Sequence, residues 1–296
     1  MEQPVEKPRI GIIGLGKMGS AIASRLSRHG FSLSGWNRSF LPKEKEVFLN
    51  IQIEASISAL SRSVEIIILS LSDDNAVAEV LGTLCANNLE NKLIVDTSTV
   101  RHTTLSDNYE IIKRSGADAI DAPISGWPKM IENGTAGIYI GGDKRLVQRY
   151  RPVAEVLSNR IEHVGKLGSG AAAKIVNNMM LASYWQSLKE AIQVGIKAGL
   201  HAENILNILS RSPAANGSLA LKSDAILGRT NNVTFTISGI VEDLRMFNET
   251  ATRLKVQAPA MQAALKSFHQ CKEVGHGDSD FISMISAAIR EIEGLE

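Results

Sequence analysis

Cysteine is scarce in this chain: Cys85 and Cys271 are the only two, they lie far apart, and they form no CxxC pair. That excludes a disulfide framework and a cysteine-built zinc site, and leaves two buried thiols as the expectation. An excess of charge of one sign is missing too, since 32 basic residues face 31 acidic ones for a formal charge of +1. So balanced a chain carries no electrostatic footprint for nucleic acid or for an anionic membrane surface. No apolar run reaches the roughly 18 residues that a bilayer-spanning helix needs. The N-terminal stretch MEQPVEKPR is charged and has no apolar h-region. There is no G-x-S-x-G and no HExxH, and His29, His102, His163, His201, His269 and His276 show no ligand spacing, so no metal and no serine nucleophile are expected. The absences together suggest a cytoplasmic enzyme with no nucleic-acid and no membrane partner.

What is present begins at once. Ile10 to Gly19 read IGIIGLGKMG, an apolar run flowing into Gly14-x-Gly16-x-x-Gly19. Glycines at this spacing let a strand turn tightly into a helix, let the backbone approach a pyrophosphate, and let helix and sheet pack closely. The phosphates then meet the helix N-terminus, where N–H groups and the positive end of the dipole face them. Ile10, Ile12 and Ile13 read as a buried strand, while Met18, Ile22, Ala23 and Leu26 fall on one stripe at helical spacing. The pattern predicts a dinucleotide-binding fold, with the pyrophosphate on Leu15, Gly16, Lys17 and Met18.

Up to Gly165 short apolar runs alternate with helical patterns: RIGIIG, SLSGW, EIIILSL, KLIVDTS and ADAIDAPIS, each separated by a helix. Continuous apolar runs belong to strands buried on both faces, joined by helical crossovers, which is a doubly wound parallel sheet. TAGIYIGG, a helix near Lys144 to Leu157, and RIEHVG extend it. From Gly168 the pattern is helical, and Ala171 to Leu200 reads as one long helix linking two domains. The expected fold class is α/β: an N-terminal Rossmann domain over residues 1–166, then an all-α domain over 167–296. With 296 residues, 44% of them hydrophobic, two domain cores can be filled.

A site of this kind usually has an acid about 20 residues past the glycines, bound to the adenosine ribose hydroxyls. Here the second strand ends Gly35-Trp36-Asn37-Arg38-Ser39, and the first acid after it is Glu44. An arginine at that corner pairs with a 2′-phosphate through charge-assisted hydrogen bonds, and Asn37 and Ser39 add donors. NADP(H) is therefore the expected cofactor.

Four further segments form a set with GLGKMG: Val95-Asp96-Thr97-Ser98-Thr99, Asp121-Ala122-Pro123-Ile124-Ser125-Gly126, Gly165-x-x-Gly168-x-Gly170-x-x-x-Lys174-x-x-Asn177-Asn178, and Gly275-His276-Gly277-Asp278-Ser279-Asp280-Phe281. In order and spacing this set resembles the β-hydroxyacid dehydrogenase family, which includes 3-hydroxyisobutyrate and 6-phosphogluconate dehydrogenases. The resemblance covers nearly the whole chain. It implies Lys174 as catalytic acid/base, Asn178 as a substrate-holding residue, and Ser125 with Gly126 as the carboxylate site. It also implies Ser98 and Thr99 along the nicotinamide and Leu71 and Ser72 along the cofactor's other edge. An active site between the two domains and a homodimer or homotetramer follow from it as well.

The residues support the same roles on physical grounds. Lys174 and Asn178 stand four apart on a predicted helix, so both project from one face. An ammonium within reach of a carbonyl oxygen donates a proton and stabilises the charge that grows there during hydride reduction. Ala171, Ala172, Ala173, Ile175 and Val176 around Lys174 are apolar, which predicts a partly buried lysine with a lowered pKa. Ser125-Gly126 reads either as a turn after a strand or as an anion nest of exposed N–H groups.

Two positions depart from the family pattern. Ser125-Gly126 is followed by Trp127 and Pro128 where a second glycine is usual, and Glu242-Asp243-Leu244 stands where a Lys-Asp-Leu step would place a cation near the cofactor. A carboxylate at Glu242 favours a cationic or amine-bearing substrate. Trp127-Pro128-Lys129-Met130-Ile131 is similar to a Pro-rich step of imine reductases, which share the fold and prefer NADPH. Those enzymes generally replace the lysine at position 174, and its retention favours carbonyl or β-hydroxyacid chemistry. A dinucleotide-binding module without catalysis is the alternative from another class, and Lys174 argues against it.

Overall fold

The computed structural model describes residues 7–294; residues 1–6, most of the charged N-terminal stretch, lie outside the described residues. The chain divides into two compact units, Met1–Val176 and Asn177–Glu296.

The first unit is built on β1 (Ile10–Ile13), β2 (Leu33–Trp36), β3 (Gln52–Ile53), β4 (Ile66–Leu69), β5 (Leu93–Asp96), β6 (Asp118–Asp121), β7 (Ile124–Ser125), β8 (Gly137–Gly141) and β9 (Arg160–Gly165). They form one sheet of order β3-β2-β1-β4-β5-β6-β8-β7, with β9 also on β8. Alternate side chains of the central strands go to opposite layers. Ile10, Ile12, Ile66 and Ile68 join one apolar cluster with Ile22, Leu26 and Tyr150, whereas Ile13, Ile67, Leu69 and Ile94 join another with Leu60, Val77 and Leu81. The period of two thus turns a continuous apolar run into two cores, each buried side chain contributing about 1.5–3 kcal/mol. β1, β4 and β5 are buried throughout, as strands covered on both faces must be.

Strands β1 to β6 are parallel, but β8 runs antiparallel to β6 and β7, and β9 is parallel to β8. Hence the apolar runs TAGIYIGG and RIEHVG do extend the sheet, with reversed direction. The helix Lys144–Leu157 connects them, as its pattern predicts.

The second unit is helical: the remainder of the helix Ser169–Lys197, then Ala202–Ser210, Leu219–Ile226, Ile237–Arg253, Pro259–Cys271 and Ser283–Glu293. Its core includes Trp185, Phe247, Phe268 and Phe281, with the Trp185 and Phe281 rings edge-to-face at 5.7 Å. Among the described residues no helix is long and apolar enough to cross a membrane.

Candidate active site

The register of the parallel strands aligns Trp36, Ile13, Leu69, Asp96 and Asp121 in one row across β2, β1, β4, β5 and β6. Most of the residues expected to meet cofactor or substrate in the first unit follow this row by one to six positions along the chain. In a doubly wound sheet ligands bind outside the carboxyl ends of the strands, where the strand order reverses. Here the reversal lies between β1, whose crossover leads to β2, and β4, on its other side.

The glycine turn is built for close approach. Gly14 has φ +96°, and a Cβ there would overlap the Ser70 carbonyl oxygen, while one on Gly19 would overlap the carbonyl of Gly14 itself. A Cβ on Gly16 would meet nothing within 4 Å, so this glycine faces open space. Gly16 is also the N-cap of the helix Lys17–Arg28, whose first turn holds Lys17, Met18 and Gly19 and no acid. An anion therefore meets a helix start that no carboxylate occupies, and these residues fit a dinucleotide pyrophosphate.

The neighbouring corner is braced by side chains. Leu15 N–H donates to Asn37 Oδ1 at 2.9 Å, and Asn37 Nδ2 donates to the Ser39 carbonyl at 3.0 Å. Asn37 is thus a strut between the glycine turn and the end of β2. Lys45 Nζ donates to the Leu15 carbonyl at 2.8 Å, a contact that sequence reasoning missed because only the fold brings the helix Lys43–Leu49 to the turn. Arg38 is exposed and lies 4.0 Å from the Glu79 carboxylate, an equally exposed partner of the kind that contributes little.

Across the sheet reversal the segments after β4 and β5 are joined. Leu71 N–H donates to Ser98 Oγ at 2.9 Å, and Ser98 N–H donates to Asp96 Oδ1 at 2.9 Å. The two edges that the sequence assigned to one cofactor are therefore in direct contact. Ser98 is buried and Thr99 half-buried. Ser72 Oγ donates to Asp73 Oδ2 at 2.6 Å, and this bond, with the N–H of Ala76, holds the Asp73 carboxyl below its usual range.

Lys174 is buried, 8% exposed, as its apolar neighbours predict, and Nζ donates to the Ile124 carbonyl at 2.6 Å. That bond brings the ammonium to the residue preceding Ser125 and Gly126. Gly126 has φ +147°, a conformation a side chain would strain. Asp121 fixes the start of the long helix, accepting from Gly168 N–H and Ala171 N–H at 2.7 Å each. Burial raises the Asp121 pKa, and these N–H bonds oppose the rise. Asp121 and Asp96 stand inside motif segments, yet their roles depend on partners that the fold supplies. Trp127 caps the short helix Pro128–Asn133, whose first turn tolerates Pro128 because that N–H needs no partner there.

In the second unit Asn178 Oδ1 accepts from Asn177 Nδ2 at 3.0 Å. Glu242 is exposed, and its Oε1 accepts from Arg245 and Lys272 at 3.2 Å each. Two cations already answer the charge that was expected to select a cationic substrate. Among the described residues no group of three or more His, Cys, Asp or Glu side chains could hold a metal ion.

Comparison with known proteins agrees with this layout. Residues 9–165 match the NAD binding domain of 6-phosphogluconate dehydrogenase, and residues 168–288 match the NAD-binding domain of NADP-dependent 3-hydroxyisobutyrate dehydrogenase. Glyoxylate/succinic semialdehyde reductase 1 of Arabidopsis thaliana is 28% identical over 281 residues, covering 94% of this chain and 97% of that protein. The Mycobacterium tuberculosis 3-hydroxyisobutyrate dehydrogenase, solved with L-serine, superposes with a TM-score of 0.84 at 23% identity, over 95% of this chain and 99% of that one. An imine reductase from Pseudomonas sp. shares the fold more loosely, with a TM-score of 0.64 at 19% identity over 96% of this chain and 100% of that one. With both halves matched and the glycine turn, strand-end row and buried lysine in place, the chain belongs to the β-hydroxyacid dehydrogenase family of NAD(P)-dependent oxidoreductases.

Proposed function

We propose that this protein is an NADP(H)-dependent reductase of small carbonyl compounds bearing an acid group, oxo acids or semialdehydes, interconverting them with the corresponding hydroxy acids. The observation that carries the reading is the buried Lys174 ammonium bonded to the Ile124 carbonyl, next to Ser125 and Gly126. Bound NADPH supplies the hydride. Lys174 Nζ hydrogen-bonds the substrate oxygen as negative charge grows on it and donates the proton that completes the hydroxyl group. Ser125 and the Gly126 backbone hold the carboxylate, and Asn178, four residues along the helix, orients the substrate. The name of the Arabidopsis relative, a glyoxylate and succinic semialdehyde reductase, supports this substrate class.

NADP(H) over NAD(H) rests on Arg38, exposed at the end of β2, and on the lack of an acid in the chain from Trp36 to Lys43, Glu79 being an exposed neighbour from another helix. Guanidinium–phosphate hydrogen bonds contribute about 1.5–3 kcal/mol each. Exposed Met180 and Val194 on the long helix support association of two copies, which light scattering of the purified protein tests.

The deciding experiment is NADPH and NADH consumption across oxo acids, semialdehydes and cyclic imines, by the parent and by Lys174→Ala. The proposal expects turnover of an acid-bearing carbonyl with NADPH and its collapse in the variant. Turnover of imines alone would assign the protein to imine reduction, and binding of NADPH without any turnover would remove the catalytic reading.

A further inference from the structure

Leu15, between the first two glycines of the turn, has a side chain 1% exposed and both of its backbone polar groups bonded to side chains. Gly14 N–H still donates to a strand carbonyl, that of Trp36, at 2.9 Å. The next N–H, that of Leu15, goes to Oδ1 of Asn37, the half-buried residue after β2. The Leu15 carbonyl accepts from Lys45 Nζ at 2.8 Å and from Ser20 Oγ at 2.9 Å. These side chains come from the end of β2, the helix Lys43–Leu49 and the helix Lys17–Arg28, so three separate elements converge on one residue. Gly14 and Gly16 flank it, and a glycine backbone loses more freedom on ordering than any other. The bonds to Leu15 hold in place a segment that its own sequence leaves loose.

Of the three, only Asn37 also reaches the corner that carries Arg38. Its Nδ2 donates to the Ser39 carbonyl at 3.0 Å, so one amide spans from the glycine turn to the residue after the arginine. The orientation of that amide follows from its partners. Only the oxygen can accept the Leu15 N–H, and only the nitrogen can donate to the Ser39 carbonyl. With Oδ1 turned to Leu15, Asn37 is committed to the turn whichever dinucleotide is bound.

We infer that Asn37 is a positioning residue for the glycine turn and does not read the 2′-phosphate. By holding Leu15 it presets the turn for the pyrophosphate that NADP(H) and NAD(H) share, and discrimination between the two falls to Arg38. The inference rests on the reading that the cofactor lies on this turn with its 2′-phosphate at Arg38. A turn that is already ordered binds without the cost of ordering it, and loss of the Asn37 bond restores that cost equally for both cofactors.

The test is direct fluorescence titration of the parent, Asn37→Ala and Asn37→Asp with NADPH and with NADH. Alongside it, hydrogen exchange read by mass spectrometry follows the peptide from Gly14 to Met18 in the free proteins. Asn37→Ala should bind both cofactors about tenfold more weakly, a factor worth about 1.4 kcal/mol, and keep the parent's preference between them within about threefold. Its glycine-turn peptide should exchange faster while exchange elsewhere in the first unit stays as in the parent. Asn37→Asp retains an acceptor for the Leu15 N–H but brings a negative charge to the corner. It should restore protection of the turn and bind NADH no more weakly than the parent, while NADPH loses at least about tenfold.

An Asn37→Ala protein that loses affinity for NADPH alone overturns the inference, because Asn37 would then be a ligand of the 2′-phosphate. Unchanged affinity for both cofactors overturns it too, as does weaker binding with unchanged exchange at the turn. If Asn37→Ala does not fold, Asn37→Asp decides: parent-like NADH affinity with parent-like exchange at the turn supports the inference, and equal loss of NADH and NADPH overturns it. A parent that binds neither cofactor overturns the cofactor reading and this inference with it, whereas the outcomes above leave that reading standing.

Discussion

Among the described residues two lysines are buried, Lys174 in the first unit at 8% exposure and Lys222 in the second at 5%, and they differ in what surrounds the ammonium. Lys222 Nζ lies 2.6 Å from Thr234 Oγ1, 3.2 Å from Asp280 Oδ1 and 4.7 Å from the centre of the Phe281 ring. Asp280 in turn accepts from Thr234 N–H and Thr234 Oγ1 at 2.7 Å each. This is a closed knot that ties the GHGDSDF loop to the chain before the helix Ile237–Arg253. Lys174 reaches a neutral carbonyl at the end of a strand, beside residues that are half-exposed. Burial alone does not mark a working lysine. A carboxylate held beside the ammonium makes Lys222 one half of an ion pair, whereas the Lys174 ammonium bonds a strand-end carbonyl beside a half-exposed turn, the setting in which we propose that it donates a proton.

The sharpest way to break the contrast is Lys174→Ala. Turnover should fall by roughly 10²- to 10⁴-fold with NADPH affinity retained, measured by steady-state kinetics and by fluorescence titration. An equal loss of cofactor binding would make Lys174 a binding residue and end the contrast. Lys222→Met should do the reverse, costing about 3–5 kcal/mol of stability by stranding the Asp280 carboxylate, as read from urea melts. Replacing both partners, Lys222→Met with Asp280→Leu, should recover much of that loss. No recovery would mean the packing and not the charge matters there.

An exposed cation calibrates the two buried ones. Arg38→Asp should weaken NADPH binding at least about tenfold and leave NADH binding alone, with no change in melting temperature. An unchanged preference between the two cofactors would remove the 2′-phosphate from that corner. The smallest effect concerns acid. Burial raises the Asp280 carboxyl, but the Thr234 hydrogen bonds and the Lys222 charge outweigh it and hold the group below its usual range. A lowered folded value means that the stabilisation is complete above the unfolded pKa, about 3.9, and drains away as pH falls through the folded one. Urea melts of the parent below pH 4 should show that slope, and Lys222→Met should flatten it.

How much of this was legible beforehand depends on whether the cause is local. Gly14, Gly16 and Gly19 were legible, because a positive φ and two backbone approaches are demands that act within a few residues. Lys174 was legible as a buried donor, because its neighbours on one helix are apolar. The helical second half and its long first helix followed from the same periodicity. The direction of β8 was not legible, since GIYIG reads the same whichever way the strand runs. Nor was the part played by Asn37, whose carbonyl group meets a residue 22 positions earlier. Glu242 looked like an unanswered charge until the fold brought Lys272 to it.

The sequence by itself determined the dinucleotide-binding class, the two-part α/β and all-α plan, and the burial of Lys174, because these follow from local sterics, period and residue chemistry. Only the tertiary structure decided what each polar group is tied to. Asp121 meets amides 47 and 50 residues away, Ser98 meets Leu71 across two strands, and Lys222 meets Asp280 from 58 residues off. Hydrogen bonds are short-ranged and directional, so a pairing over such separations exists only once the sheet register and the helix packing have brought the partners within 3 Å or so.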